Sequence, residues 1–221
     1  LEAVNPFGWL TRTVDSFRPS AMPPLTRPSY ARELTAALFL PWVMAIIEGG
    51  VIAVIVQKYF EGGVGRTPLD VAVATVTSAP AFANITSFLW VRLTHGRHKI
   101  RSVNSLQLAI AVLVGLAAAS PRDEPGLVMI VACTVGARVC LAGVVTVRAT
   151  VWRQNYPRDV RARLTGRIAT VMTVVIGLVG TLVGLMMEWQ PWTFRVFFPL
   201  SAAVSLVGVH VWGKVRMRGH R

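Results

Sequence analysis

The sequence predicts an all-α integral membrane protein with six transmembrane helices and both termini in the cytoplasm. Of its 221 residues, 53% are hydrophobic and only 15% are charged, whereas soluble domains carry about 25% charged residues. The charged residues are grouped between apolar stretches of about 20 residues, the helix length that crosses the ~30 Å hydrocarbon core of a bilayer. A soluble chain of this composition would have too little polar surface to cover its apolar helices.

Six apolar stretches follow one another along the chain. They cover approximately residues 34–57, 69–93, 103–119, 126–151, 168–187 and 192–213. They divide the chain into an N-terminal cytoplasmic segment (1–31), a six-helix transmembrane bundle (32–215) and a basic cytoplasmic tail (216–221). Near Trp9 and Phe17 the first segment fits either a short amphipathic helix on the membrane surface or a disordered lead-in.

The distribution of basic residues predicts the orientation of the bundle. Most lie in the loops after the second and fourth stretches and in the tail, and the other loops hold few. The basic set is Arg97, Lys99, Arg101, Arg153, Arg158, Arg161, Arg163, Arg167, Lys214, Arg216, Arg218 and Arg221. Because such loops stay in the cytoplasm, both ends are predicted there. The net charge of +13 then reflects topology and contact with membrane lipid, and no recognition motif for nucleic acid accompanies it.

Two charged residues lie near the middle of apolar stretches. Glu48 lies within the first, and Arg138 lies at a similar predicted depth in the fourth. A charge in this position should face the bundle interior or a water-filled cavity, and two opposite charges can offset each other's cost. The two residues are therefore candidates for substrate or proton contact, either as a pair or as separate groups with structural roles.

Smaller polar and glycine residues give weaker indications. Asn84, near the end of the second stretch, could line a solute path, although an interhelical hydrogen bond is at least as plausible. Gly177, Gly180 and Gly184 form a small-residue face in the fifth stretch, which is typical of close helix packing.

Signatures of enzymes and cofactor sites are missing from the sequence. It has no phosphate-binding glycine loop with lysine, no GxSxG, no HExxH and no cysteine–histidine cluster. The two cysteines, Cys133 and Cys140, lie seven residues apart in one apolar stretch and are expected to be small packing residues. We therefore expect neither an enzyme nor a metal or cofactor site.

The loop after the second stretch carries part of a known signature. Gly96, Arg97 and Lys99 match the Gly-Arg-Arg/Lys end of the gating-loop signature of the major facilitator superfamily, and leucines occupy its opening glycine and its aspartate. Arg138 followed by Gly143 is similar to the arginine and glycine of the family's proton-coupled antiporters. Together with the six-stretch pattern, the chain resembles the N-terminal six-helix half of such a transporter.

The resemblance implies secondary transport of a small solute by alternating access between two six-helix halves. Glu48 would bind a proton or a cationic group, and Arg138 would hold an anionic group or tune Glu48. The other half would come from a longer chain, another protein or a second copy, and the expected location is the bacterial cytoplasmic membrane. The alternative is a non-transporting scaffold or accessory subunit of a larger membrane complex.

Overall fold

The structure, a computed structural model, describes residues 13–217 and is all-helical there. Helix accounts for 83% of these residues, and they include no strand. The main helices are α1 (Arg27–Phe39), α2 (Pro41–Ile46), α3 (Gly49–Phe60), α4 (Arg66–Ile85), α5 (Ser87–Leu93), α6 (Lys99–Ala117), α7 (Glu124–Asn155), α8 (Arg158–Trp189) and α9 (Phe194–Gly213). The predicted all-α class is confirmed. The lead-in before residue 13 and the tail after 217 lie outside the described residues.

Within residues 13–217, four helical segments are long and apolar enough to cross a membrane. They are α6, α7, α8 and the run Pro191–Gly213 that contains α9. A fifth candidate combines α4 and α5, which are bent by 46° where they meet. These apolar helices are compatible with an integral membrane protein, whereas the six spans and the side of the termini stay predictions.

The first predicted stretch is broken, which corrects the expectation of one continuous helix over residues 34–57. Pro41 starts α2, and the chain leaves the helical path again at Glu48, which is extended with φ −64° and ψ 130°. Gly49 and Gly50 follow this break, and glycine is among the weakest helix formers. Each piece is therefore too short to cross a bilayer alone.

Prolines do not set the other bend. Pro80 and Pro199 lie inside α4 and α9, and both helices continue past them. The chain bends instead at Thr86, between α4 and α5. The predicted second stretch is therefore two helices joined at an angle.

The helices pack as six consecutive segments. Segment 1 is α1–α3, segment 2 is α4–α5, and segments 3 to 6 are α6, α7, α8 and α9. Segment 3 packs against segments 4 and 6, segment 2 packs against 1 and 4, and segment 1 also packs against 5 and 6. When segments 1, 2 and 3 are exchanged with segments 4, 5 and 6, respectively, the contact between segments 3 and 4 corresponds to the contact between segments 6 and 1. The contact between segments 2 and 4 likewise corresponds to the contact between segments 5 and 1. The exception is contact 1–2, because its counterpart 4–5 is slight.

The outermost helix in this arrangement is α8. Only 17% of its most apolar window is buried, compared with 39–44% in the other three membrane-length segments. A small buried cluster anchors its first half, where Leu164 and Ile168 meet Tyr30, Ala37 and Tyr156. The second half of α8 therefore leaves an apolar face open.

Candidate functional site

The structure brings Glu48 and Arg138 together. Arg138 Nη2 lies 2.9 Å from Glu48 Oε2. The same guanidinium donates a hydrogen bond from Nε to the backbone carbonyl of Ile47 at 2.6 Å. One arginine therefore holds both a carboxylate and a carbonyl at the break between α2 and α3.

The local backbone explains why this carbonyl is available. Ile47 follows the last residue of α2, and the extended conformation of Glu48 interrupts the helical hydrogen-bond pattern. A buried carbonyl without a partner costs about 1–3 kcal/mol. Ile47 is only 1% exposed. Arg138, near the middle of α7, supplies the missing donor.

The two partners differ in burial. The Arg138 side chain is 8% exposed and that of Glu48 is 51% exposed. Nη2 approaches the carboxylate at ion-pair distance but without the alignment of a hydrogen bond. The contact is therefore electrostatic, and the carboxylate is accessible from outside the protein.

Two glycines next to Glu48 define a packed side and an open side. A Cβ on Gly49 would lie 3.0 Å from the carbonyl oxygen of Thr77, so α3 approaches α4 closely here. A Cβ on Gly50 would meet nothing within 4 Å. The backbone at Gly49 and Gly50 therefore lies against α4 on one side and faces open space on the other.

The remaining predicted site residues lie apart from this pair. Asn84 is exposed in the last turn of α4, and its side chain makes no hydrogen bond or ion pair with other described residues. Gly96 has a positive φ of 70°, which side chains other than glycine rarely adopt, in the turn between α5 and α6. Lys99 Nζ binds the carbonyl oxygen of Thr94 across that turn, and Arg97 is exposed.

Sequence reasoning missed a second buried charge cluster. Glu33 in α1 is fully buried, and its carboxylate accepts hydrogen bonds from Trp152 Nε1 and, at 2.8 Å, from Tyr156 OH. Arg148 Nη2 lies 3.6 Å from the same carboxylate, and its guanidinium lies 4.8 Å from the Trp152 ring centroid. The spacing of four between Arg148, Trp152 and Tyr156 places them on one helix face and was the available signal.

Tyr156 lies just beyond the last residue of α7, outside the apolar stretch. Burial raises the pKa of Tyr156 well above its ordinary value, and the neighbouring Glu33 carboxylate raises that pKa further. Tyr156 is therefore a neutral donor to Glu33 at physiological pH. This cluster fixes α1 to the end of α7.

The glycine face and the cysteines show packing features. A Cβ on Gly180 would lie 3.4 Å from Val51, whereas Gly177 and Gly184 face open space. Cys133 and Cys140 are free thiols of intermediate exposure. Among residues 13–217 no group of three histidine, cysteine or acidic side chains could hold a metal ion.

Comparison with known proteins gives no assignment. No protein-family model, curated protein or solved structure matches the chain. The resemblance to the major facilitator superfamily thus stays a prediction, and a functional proposal has to rest on the chemistry of the Glu48–Arg138 site.

Proposed function

We propose that the chain is a six-helix, major-facilitator-like unit of a secondary transporter that moves a small solute by alternating access with proton coupling. The observation that supports this most directly is the position of the Glu48–Arg138 pair at a helix break. Unwound backbone deep in a membrane protein is tolerated where it is buried in protein or lines a cavity, and transporters use such breaks for binding sites.

The asymmetry of the pair supports the proposed proton coupling. Arg138 is buried and held by Ile47, so it stays in place, whereas Glu48 is half-exposed and accessible to solvent. Protonation of Glu48 removes its attraction for Arg138 and frees a guanidinium face for an anionic group of the solute. Deprotonation restores the ion pair and favours release of that group.

The packing of the segments also supports a transporter unit. Most contacts are preserved when segments 1–3 are exchanged with segments 4–6. Two repeats of three membrane-crossing segments have opposite orientations in the membrane, and inverted repeats of this kind are typical of secondary transporters. The proposal therefore includes six spans, both termini in the cytoplasm and a location in a bacterial cytoplasmic membrane.

A second six-helix unit would complete the transporter. The low burial of α8 and the open space beside Gly177 and Gly184 favour a further membrane helix packed there. The same face would also suit the alternative function, an accessory subunit attached to a larger membrane complex.

Transport can be tested with the purified protein in vesicles that contain a pH-sensitive dye. A panel of organic anions, amino acids and sugars is added outside, and proton movement is recorded for the wild type and for Glu48→Gln. We expect at least one solute to move protons with the wild type, and Glu48→Gln to abolish the movement. Unchanged coupled movement in Glu48→Gln would exclude the coupling role.

The mass of the detergent-purified protein separates the two candidate functions. A homodimer or a pair with another six-helix chain supports the transporter. A single copy bound in a large assembly of unrelated proteins, together with no proton movement for any solute of the panel, supports the function of an accessory subunit.

A further inference from the structure

A cavity of about 470 Å³ opens where α5 turns into α6. Two kinds of side chain line it. Arg97, Arg101 and Ser102 supply cationic and hydroxyl groups, and Trp90, Leu93 and Leu106 supply apolar surface. No carboxylate is among the described residues that line it, so the cavity presents positive charge beside an apolar surface.

The two arginines have donors available for a ligand. Arg97 and Arg101 are exposed, and within residues 13–217 neither side chain makes an ion pair or a hydrogen bond. A guanidinium presents planar, paired N–H donors that match a phosphate group. Arg97 lies in the turn before α6 and Arg101 in the first turn of that helix, and both line the cavity.

An apolar strip on α6 leads away from the cationic end. Leu108, Val112 and Leu116 are 48%, 52% and 50% exposed. They share a helix face with Arg101 and Ser105, because the spacings along this series are four, three, four and four. A ligand bound at the arginines therefore has an open apolar path next to it.

The Trp90 wall of the cavity is held by α7. Trp90 Nε1 donates a 3.0 Å hydrogen bond to the carbonyl of Val139 in α7. Its ring packs directly on Gly143, where an added Cβ would approach ring atoms to 2.8 Å. The position of Trp90 is therefore fixed by α7 before any ligand binds.

We propose that this cavity binds an anionic phospholipid, with its phosphate held by Arg97 and Arg101 and an acyl chain along Leu108, Val112 and Leu116. A free phosphate ion would leave the apolar strip unused. A choline headgroup would place its cation among the arginines, so a headgroup without a cation is preferred. This site is separate from the Glu48–Arg138 pair and goes beyond the proposed transport.

The test is lipid retention by the purified full chain in native mass spectrometry, after incubation of the detergent-solubilised protein with phosphatidylglycerol or phosphatidylcholine. The variant is Arg97→Gln combined with Arg101→Gln. The control is Arg153→Gln combined with Arg163→Gln, which makes the same charge change at exposed arginines outside the cavity. Thermal unfolding of both double variants checks that each is folded.

We expect the wild type to retain phosphatidylglycerol over phosphatidylcholine, and the cavity variant to bind it roughly 30-fold more weakly, about fivefold for each arginine. The control variant should change by less than about twofold. Equal losses in both variants would show general charge attraction and overturn the proposal. Displacement of phosphatidylglycerol by an equal concentration of inorganic phosphate would also overturn it, because the site would then take the free ion.

Discussion

Arg138 carries two contacts at once, and the structure separates their roles. Its bond to the Ile47 carbonyl satisfies a buried backbone group, and its approach to Glu48 is electrostatic with a half-exposed partner. Ion pairs with an exposed partner are worth little, typically up to about 1 kcal/mol. The carbonyl bond is therefore the larger stabilising contact.

A double-mutant cycle measures the ion pair alone. In the wild type, Arg138→Met removes both the hydrogen bond to the Ile47 carbonyl and the ion pair with Glu48. In the Glu48→Gln protein, the same substitution removes only the hydrogen bond to the carbonyl. We expect the cost of Arg138→Met to fall by about 1 kcal/mol in that background. The measurement is thermal unfolding of the four proteins in detergent, and strictly additive costs would show that the charges do not interact.

Tyr156 gives a pH-dependent prediction. Its pKa is raised by burial and by Glu33, so its contribution to stability is fully present below pH ~10, the ordinary value for tyrosine, and is lost as pH rises beyond that. Relative to that of Tyr156→Phe, the free energy of unfolding of the wild type should fall by about 1.4 kcal/mol for each pH unit above ~10. Unfolding temperatures from pH 8 to 11 check this, and parallel curves for the two proteins would contradict it.

At the scale of helices, the sequence predicts where the helices lie better than it predicts whether each one is continuous. Length and apolarity placed α6, α7 and α9 within about four residues, because a long apolar run between charged loops permits little besides a membrane-length helix. The end of α8 was placed equally well, but α8 begins at Arg158, about ten residues before the predicted stretch, because its first turns are basic and not apolar. The break at Glu48 was not predicted, because it depends on a donor from Arg138, 91 residues away, at the Ile47 carbonyl. The Glu33 cluster was missed for the same reason: its partners come from another helix.

Close contact between α5 and α7 depends on one glycine. A Cβ on Gly143 would approach the Trp90 ring and Leu106 to 2.8–2.9 Å. Gly143→Ala should therefore destabilise the protein by about 1–3 kcal/mol through overpacking. Gly166→Ala is the matched control, because Gly166 lies in a helix with nothing within 4 Å of an added Cβ. The control should be neutral or stabilising by up to about 1 kcal/mol.

Thermal unfolding of both alanine variants checks this prediction. A stable Gly143→Ala protein would show that Trp90 can move away from α7. Trp90 would then not be a fixed wall of the lipid cavity, and the lipid site would depend on the two arginines.

At the scale of the whole molecule, the proposed six spans predict which turns lie on each side of the membrane. The six-span arrangement places the turn before α4 and the turn before α9 outside, and the turn before α6 and the start of α8 inside. Glu61, His95 and Gln190 are exposed in three of these turns and report on them directly.

Single cysteines in a background without Cys133 and Cys140 test this arrangement in intact cells. Glu61→Cys and Gln190→Cys should react with a membrane-impermeant maleimide from outside, whereas His95→Cys should react only after the cells are permeabilised. Labelling of His95→Cys in intact cells would show that the orientation is the reverse of the predicted one. Protection of Glu61→Cys would mean that α1–α3 does not cross.

The Glu33 cluster has a consequence for how the protein is made. Glu33 and Trp152 are 119 residues apart in the chain. At a synthesis rate of about 5–20 residues per second, the ribosome adds Trp152 roughly 6–24 s after Glu33. During that interval Glu33 lacks the Trp152 and Tyr156 donors that its buried carboxylate has in the folded protein. The packing of α1 therefore has to wait for α7, so an early element of the described chain is among the last to be secured.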